Sequence, residues 1–289
     1  MKKREHKSLS AVLAKYCMIG PITLWMYLLV AIPFLYIIAI SFMHKGTYGG
    51  VVAGFTLQNY KDILNPLYLQ TFAKSIGMSV IVTLICLIIA YPFTYFVSQK
   101  TEIQKTIFMS MIMIPFCVSM IIRLFSWVNI LRTDGVINNF FSTFGIGPFK
   151  LVYNQTGALI GLIYMLLPFM ILPLYSSIEK LDASLLEAAQ DLGAKPVISF
   201  LKVTLPLTKP GIFAGCVMVF IPSMGLYFIT DLMGGSKTLV IGNLIKNQFI
   251  TARNWPLGAA MSVILMLITL LMLQMYRKAG GSMDDLSGM

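Results

Sequence analysis

Long apolar runs alternate along the chain with short polar links, and the length of the runs is the first structural fact. Crossing a hydrocarbon layer about 30 Å thick takes roughly 20 helical residues at about 1.5 Å each. Six stretches meet that requirement: Gly20 to Phe42, Ser75 to Val97, Ile107 to Leu131, Gly157 to Tyr175, Gly211 to Met233 and Leu257 to Met275. They predict an all-α polytopic membrane protein with six transmembrane helices. The first run follows Lys2, Lys3, Arg4, Lys7 and Lys15, as a signal peptide would, but it is too long and lacks a small-residue cleavage site. It is expected to stay attached.

Short loops rich in Lys and Arg stay in the cytoplasm. With the N-terminus inside, thirteen of the 22 Lys and Arg residues fall in cytoplasmic segments and seven in outer loops, Lys74 and Arg123 lying at or in spans. Both termini are therefore expected inside. Residues 1–19 then form a cytoplasmic segment, 20–276 the membrane domain and 277–289 a cytoplasmic tail.

Composition agrees with a lipid solvent, since 57% of the 289 residues are hydrophobic and 11% are charged. The net charge of +11 follows mostly from the loop asymmetry and argues against nucleic-acid binding in a chain with no soluble domain. Cys17, Cys86, Cys117 and Cys216 sit singly at or inside apolar runs, as packing residues do. His6 and His44 are far apart, so no metal site is expected.

Prolines inside the spans, among them Pro33, Pro92, Pro115, Pro168, Pro173 and Pro222, predict kinked helices. The outer segment 234–256 has an apolar spacing, Leu239 to Phe249, that fits a short helix at the outer interface. Gly235-Ser236-Lys237-Thr238 resembles the tail of a P-loop, but serine replaces the required glycine and the segment lies outside. No nucleotide site is expected on this chain.

The cytoplasmic loop 179–209 is the most informative segment. Ser184-Leu185-Leu186-Glu187 fits a capping box, which starts a helix at Ser184. Leu185, Ala188, Ala189 and Leu192 then form one apolar stripe, and Gly193 stands where a left-handed C-cap is expected. Pro196 suits the first turn of a second short helix. A Leu and Ala stripe outside the membrane needs a partner, either the chain's own helices or another protein.

Glu187-Ala188-Ala189, Gly193, Val203 and Leu205-Pro206, in this spacing, resemble the EAA loop of membrane subunits of binding-protein-dependent ABC importers, with Val203 where isoleucine is usual. The resemblance implies a type I ABC importer permease fold. It implies that the 184–192 helix is a coupling helix, with Ser184, Leu185, Glu187, Ala188, Ala189, Gly193 and Pro206 serving contact with the ATPase.

Leu167-Pro168-Phe169, Pro173 to Asp182, Gly225-Leu226-Tyr227 and Asp231 to Gly235 further resemble the first permease subunit of spermidine/putrescine importers. That likeness implies polyamine import through the bacterial inner membrane. The implied partners are a second homologous permease, two cytoplasmic ATPase subunits that hold ATP and Mg, and an extracytoplasmic polyamine-binding protein.

A polyamine path calls for carboxylates and aromatic faces. Asp231 is the only acidic residue within an expected span, and Tyr227 and Phe228 precede it by one turn. These three are candidates for an outer gate, with Lys246 as an ion-pair partner that substrate displaces. The alternative is that Asp231 caps the helix or pairs structurally with a lysine. Arg123, a positive charge within a span, is expected to snorkel outward or to pair with a partner subunit. Trp127, one turn on, would line the path or, more in keeping with its type, anchor at the interface. The outer loops around Asn59-Tyr60 and Asp134 are candidates to meet the binding protein.

A permease for another small solute would share the coupling loop, and a channel or secondary transporter would share the spans but need no ATPase. A membrane enzyme would need a nucleophile, base or metal constellation, and none is visible.

Overall fold

A computed structural model describes residues 19–235 and 238–278, together with all side chains there except that of Ala183. The expected cytoplasmic segment 1–19 (apart from Ile19), most of the tail 277–289, and Ser236-Lys237 of the P-loop-like stretch lie outside the described residues. These fall into two compact units, one of residues up to Ile63 with Gln248–Ile264, the other of Leu64–Asn247 with the residues from Leu265 on.

In the first unit, helix α1 (Ile19–Ser41) is apolar and exposed along most of its length, with Ile40 and Ser41 buried at its C-terminal end. A π-helical stretch, Tyr27–Ala31, widens it just before Pro33, whose ring clashes with the carbonyl four residues back in a regular turn. A two-stranded hairpin, β1 (His44–Lys45) with β2 (Val51–Val52), leads to α2 (Gln58–Ile63). Asn59 on α2 is buried and donates through Nδ2 to the carbonyls of Ser41 and Met43, each at 2.9 Å. Tyr60 OH lies 2.8 Å from Ser41 Oγ. The Asn59-Tyr60 pair thus closes the C-terminus of α1.

In the second unit, α3 (Pro66–Ser98) starts where Asn65 Oδ1 accepts from Leu67 N at 3.0 Å. Its 33 residues extend beyond the expected span at the N-terminal end. After Thr101, α4 (Glu102–Met113) gives way to a 3-10 turn over Ile114–Cys117, and α5 (Met120–Leu131) follows. A short α6 (Val136–Ser142) continues the outer limb. Here the structure corrects the expected continuous helix over 107–131, because the two limbs meet at 98°. Pro115 offers no N–H to the preceding turn, and Val118 and Ser119 then adopt extended ψ angles of 142° and 133° that end the helix.

Helix α7 (Gln155–Glu179) is the hub of this unit, buried over more of its length than any other span, and α3, α10 (Lys209–Gly225) and α11 (Tyr227–Gly234) pack on it. Glycines let the helices approach. A Cβ at Gly161 would stand 2.5 Å from Met233 Sδ and 2.8 Å from Ile229 Cγ2, and one at Gly215 would stand 2.6 Å from Met170 Sδ. Such close packing of small residues takes the place of a hydrophobic drive that lipid does not supply. Pro92, Pro168 and Pro173 lie inside continuous helices, so not every proline expected to kink a span breaks one.

Two further helices, α8 (Ala183–Asp191) and α9 (Pro196–Leu207), form the loop after α7, and α9 meets α10 at 63°. The fifth expected helix is divided at Leu226 into α10 and α11. Helix α12 (Ile241–Ile250) occupies the outer segment where a short helix was expected, and α13 (Trp255–Lys278) is the last span. By length and composition four described helices can cross a membrane, or six if each bent pair is one crossing.

Candidate functional site

The loop between α7 and α10 folds as two capped helices. Its start differs from the expected one: Asp182, not Ser184, is the N-cap of α8, and its Oδ1 accepts from Ser184 N at 2.9 Å. Both residue types cap helices, but a carboxylate also meets the positive end of the helix dipole. The same hydrogen bond holds the Asp182 carboxyl below its ordinary pKa. Ser184 therefore sits inside the first turn, exposed.

The C-terminus closes on Gly193 at φ 80°, with Gly193 N donating to Gln190 O at 2.8 Å and Ala194 N to Ala189 O at 3.0 Å. This is a Schellman pair, which needs the left-handed residue that glycine supplies. Pro196 then opens α9 as expected of a proline in a first turn.

Between these caps the apolar stripe is bare. Leu185 is 46% and Leu192 89% exposed, and Ala188 and Glu187 are also exposed, while Leu186 and Ala189 are half-buried. The described helices leave Leu185, Ala188 and Leu192 uncovered. Behind it, α9 is tied into the membrane part. Phe200 meets Tyr91 and Tyr95 of α3 edge to face, each at 5.5 Å between centroids. Tyr91 OH lies 2.8 Å from Thr208 Oγ1 at the bend after Pro206, and both residues are buried. Ahead of α8, Lys105 Nζ lies 2.8 Å from Glu102 and 3.5 Å from Glu179, and Tyr175 OH donates to Glu179 at 2.8 Å.

A second cluster surrounds α11. Asp231 Oδ2 accepts from Lys246 Nζ at 2.5 Å, and Oδ1 accepts from Asn243 Nδ2 at 2.5 Å. Asn243 is buried, and its Oδ1 accepts from Thr230 Oγ1 at 2.8 Å and from Val240 N at 2.9 Å. The amide thereby fixes α12 against α11 and aims the carboxylate. Lys246 Nζ also stands 5.4 Å from the centroid of the Tyr227 ring. A carboxylate and an aromatic face thus hold one primary ammonium, with both charged side chains about one-third exposed (33% and 37%).

Phe228 is half-buried and packs against the core, whereas Tyr227 is exposed. Trp127 lies 5.1 Å from Tyr164 between centroids, half-buried against the same core. Asp134, by contrast, is exposed and pairs with Arg132 at 3.3 Å. Arg123 is half-buried: its Nε and Nη1 are buried, and the guanidinium lies 4.5 Å from the Phe116 ring centroid. Asn243 and the Phe200 contacts are the parts of these two clusters that the sequence reading missed. Among the described residues no three His, Cys, Asp or Glu side chains converge as a metal site.

Comparison with known proteins gives this architecture a setting. Residues 100–279 match the family described as the binding-protein-dependent transport system inner membrane component. The chain is 43% identical over 264 residues, 91% of its length and 96% of the relative's, to the spermidine/putrescine transport system permease protein PotB of Escherichia coli K12. It is 41% identical to the PotB of Haemophilus influenzae over 88% of the chain and 90% of that protein. Among solved structures, a bacterial alginate ABC transporter in complex with a periplasmic protein bound to an alginate pentasaccharide aligns at TM-score 0.75 and 16% identity, over 95% of this chain and 96% of that one.

Proposed function

The chain belongs to the family of inner-membrane components of binding-protein-dependent transport systems, and on that premise we propose that it is the permease subunit of an ATP-driven polyamine importer. It is an integral protein of the inner membrane. In this reading it crosses the membrane six times, each bent pair counting once, with both termini in the cytoplasm. A second homologous permease completes the pore, two ATPase subunits hold ATP and Mg, and an extracytoplasmic binding protein delivers spermidine or putrescine.

The observation that carries the coupling assignment is the uncovered Leu185, Ala188 and Leu192 face on a helix capped at both ends. A short rigid helix with an apolar ridge is suited to seat in a cleft of another protein and to pass on a rigid-body motion. Displacement of α8 reaches α3 through Phe200, Tyr91 and Tyr95, and reaches α10 through Thr208. Asp182 and Gly193 hold the ends of that lever, and Glu187 lies on its exposed face.

The cargo assignment rests on the likeness to polyamine permeases and on the α11 cluster. Lys246 occupies the place that an ammonium of the substrate would take against Asp231 and Tyr227. Entry of a polyamine would exchange one ammonium for another at the same carboxylate, which avoids leaving Asp231 unpaired at any step. The test is co-purification of the ATPase subunits with the tagged chain, which Glu187→Lys is expected to abolish. Unchanged co-purification and transport in that variant would remove α8 from the coupling role.

A further inference from the structure

Between Gly135 and Phe149 the chain carries no charged residue, although this stretch lies outside the six apolar runs. Its large apolar side chains face outward. Val136 is 70%, Phe140 62% and Phe144 65% exposed, with Phe141, Ile146 and Phe149 exposed beside them. The rings form one patch: Phe140 lies 5.3 Å from Phe144 and 5.9 Å from Phe141 between centroids, and Phe141 lies 5.6 Å from Phe149. Water makes such a patch costly.

The four polar side chains of the same stretch bond to the chain itself. Asn138 is buried, donates through Nδ2 to the carbonyls of Arg132 and Phe149, each at 2.9 Å, and accepts from Phe149 N at 2.8 Å. Asn139 Nδ2 donates to Asp134 O at 3.3 Å, and the hydroxyls of Ser142 and Thr143 donate to Asn139 O at 2.7 and 3.1 Å. Helix α6 closes on Gly145 at φ 73°, where Gly145 N donates to Ser142 O and Ile146 N to Phe141 O. A loop in water can leave such groups to the solvent. A loop in hydrocarbon has to satisfy them internally.

The foot of the loop has the opposite character. Arg132, Asp134 and Lys150 line one hollow of about 440 Å³ there. Leu151 and Val152 pack against the core, and Tyr153 N donates to Met233 O at 2.7 Å, which fixes the foot at the ends of α7 and α11. Charged groups at the foot and an uncharged aromatic patch beyond it match the two layers of a lipid leaflet, phosphates and then acyl chains.

We propose that residues 136–149 form a rigid aromatic wedge seated among the acyl chains of the bilayer leaflet at the Asn154 end of α7, with Arg132 and Lys150 at the level of the phosphates. That leaflet is the outer one in the orientation proposed above, and the lipid contact does not depend on which it is. The wedge holds the limb beyond the 98° bend from its far end.

The experiment places the environment-sensitive fluorophore NBD on Phe144→Cys, in a chain whose Cys17, Cys86, Cys117 and Cys216 are each replaced by Ala, reconstituted in nanodiscs. The reference is the same label on Tyr48→Cys, since Tyr48 is 97% exposed in the turn between β1 and β2. Emission at 144 is expected to the blue of that at 48, and phospholipid brominated on its acyl chains is expected to quench it about threefold more. Adding the second permease, the ATPase subunits and the binding protein should leave both readings unchanged. Equal emission and quenching at the two positions overturns the proposal, and so does burial of the 144 label only when a protein partner is added. The wild-type chain with its cysteines retained gives a second reading, in nanodiscs whose phospholipid carries a photoactivatable diazirine on the acyl chain. Adducts are expected within 136–149 as well as on α1; adducts on α1 with none in 136–149 overturn the proposal.

Discussion

Gly193 gives a sharp test of the coupling lever, because its environment isolates one physical effect. Its φ is 80°, and a Cβ added there would meet nothing within 4 Å. Gly193→Ala therefore introduces no clash, and its whole cost is that of holding an L-residue in the left-handed region, about 1–2 kcal/mol. The lone subunit escapes that cost by letting the last turn of α8 fray. If the ATPase cleft accepts only the closed helix, the cost appears in docking, as a loss of roughly 5–30-fold in affinity. Asn tolerates this conformation far better, so Gly193→Asn should remain within about threefold of wild type. Titration of the purified ATPase subunit onto detergent-solubilised chain, read by a labelled ATPase, measures all three. Equal affinity for wild type and Gly193→Ala would refute the reasoning, and so would an Asn variant as weak as the Ala variant.

Asp231→Asn should reduce polyamine uptake about tenfold, the equivalent of losing an interaction of about 1.4 kcal/mol, while the assembled complex is recovered in normal amount. Lys246→Met should raise apparent polyamine affinity in the same uptake assay by vacating the carboxylate; lower affinity would argue against displacement. Gly161→Leu should destabilise the membrane domain by about 1–3 kcal/mol through overpacking against Met233 and Ile229, seen as a lower melting temperature. The Asp182 cap gives a pH signature: its carboxyl pKa is lowered in the folded chain, so its contribution is present above the ordinary carboxylate pKa and lost as pH falls through the lowered value. The protection factor of the Ser184 amide, its exchange relative to the unfolded chain at the same pH, should fall across that acid window, and Asp182→Ala should show low protection at every pH.

Much of the arrangement is legible in the amino-acid order because lipid imposes simple rules. Run length marks the spans, and the Gly193 and Pro196 signals mark the two loop helices, since each has one dominant local cause. The N-cap of α8 was less determinate because Asp182 and Ser184 are both good capping residues two positions apart. The break at residues 114–119 was hidden by hydropathy, which averages over a window and treats Pro115 like Pro92, Pro168 and Pro173. What distinguishes Pro115 is tertiary: the chain turns there and Arg123 and Phe116 face one another. The four-residue spacings Gly157 to Gly161 and Gly211 to Gly215 were present as a close-packing signal and went unread. Asn243 had no such signal, since one amide among the apolar positions of this segment gains meaning only when α12 lies against α11.

The account stands most directly on uptake by the assembled transporter in sealed vesicles, with the chain, the second permease, the ATPase subunits and the binding protein reconstituted together. It predicts spermidine or putrescine uptake that requires ATP hydrolysis and that Glu187→Lys on the exposed face of α8 abolishes. Uptake that proceeds without ATP, or that survives this substitution, would contradict it.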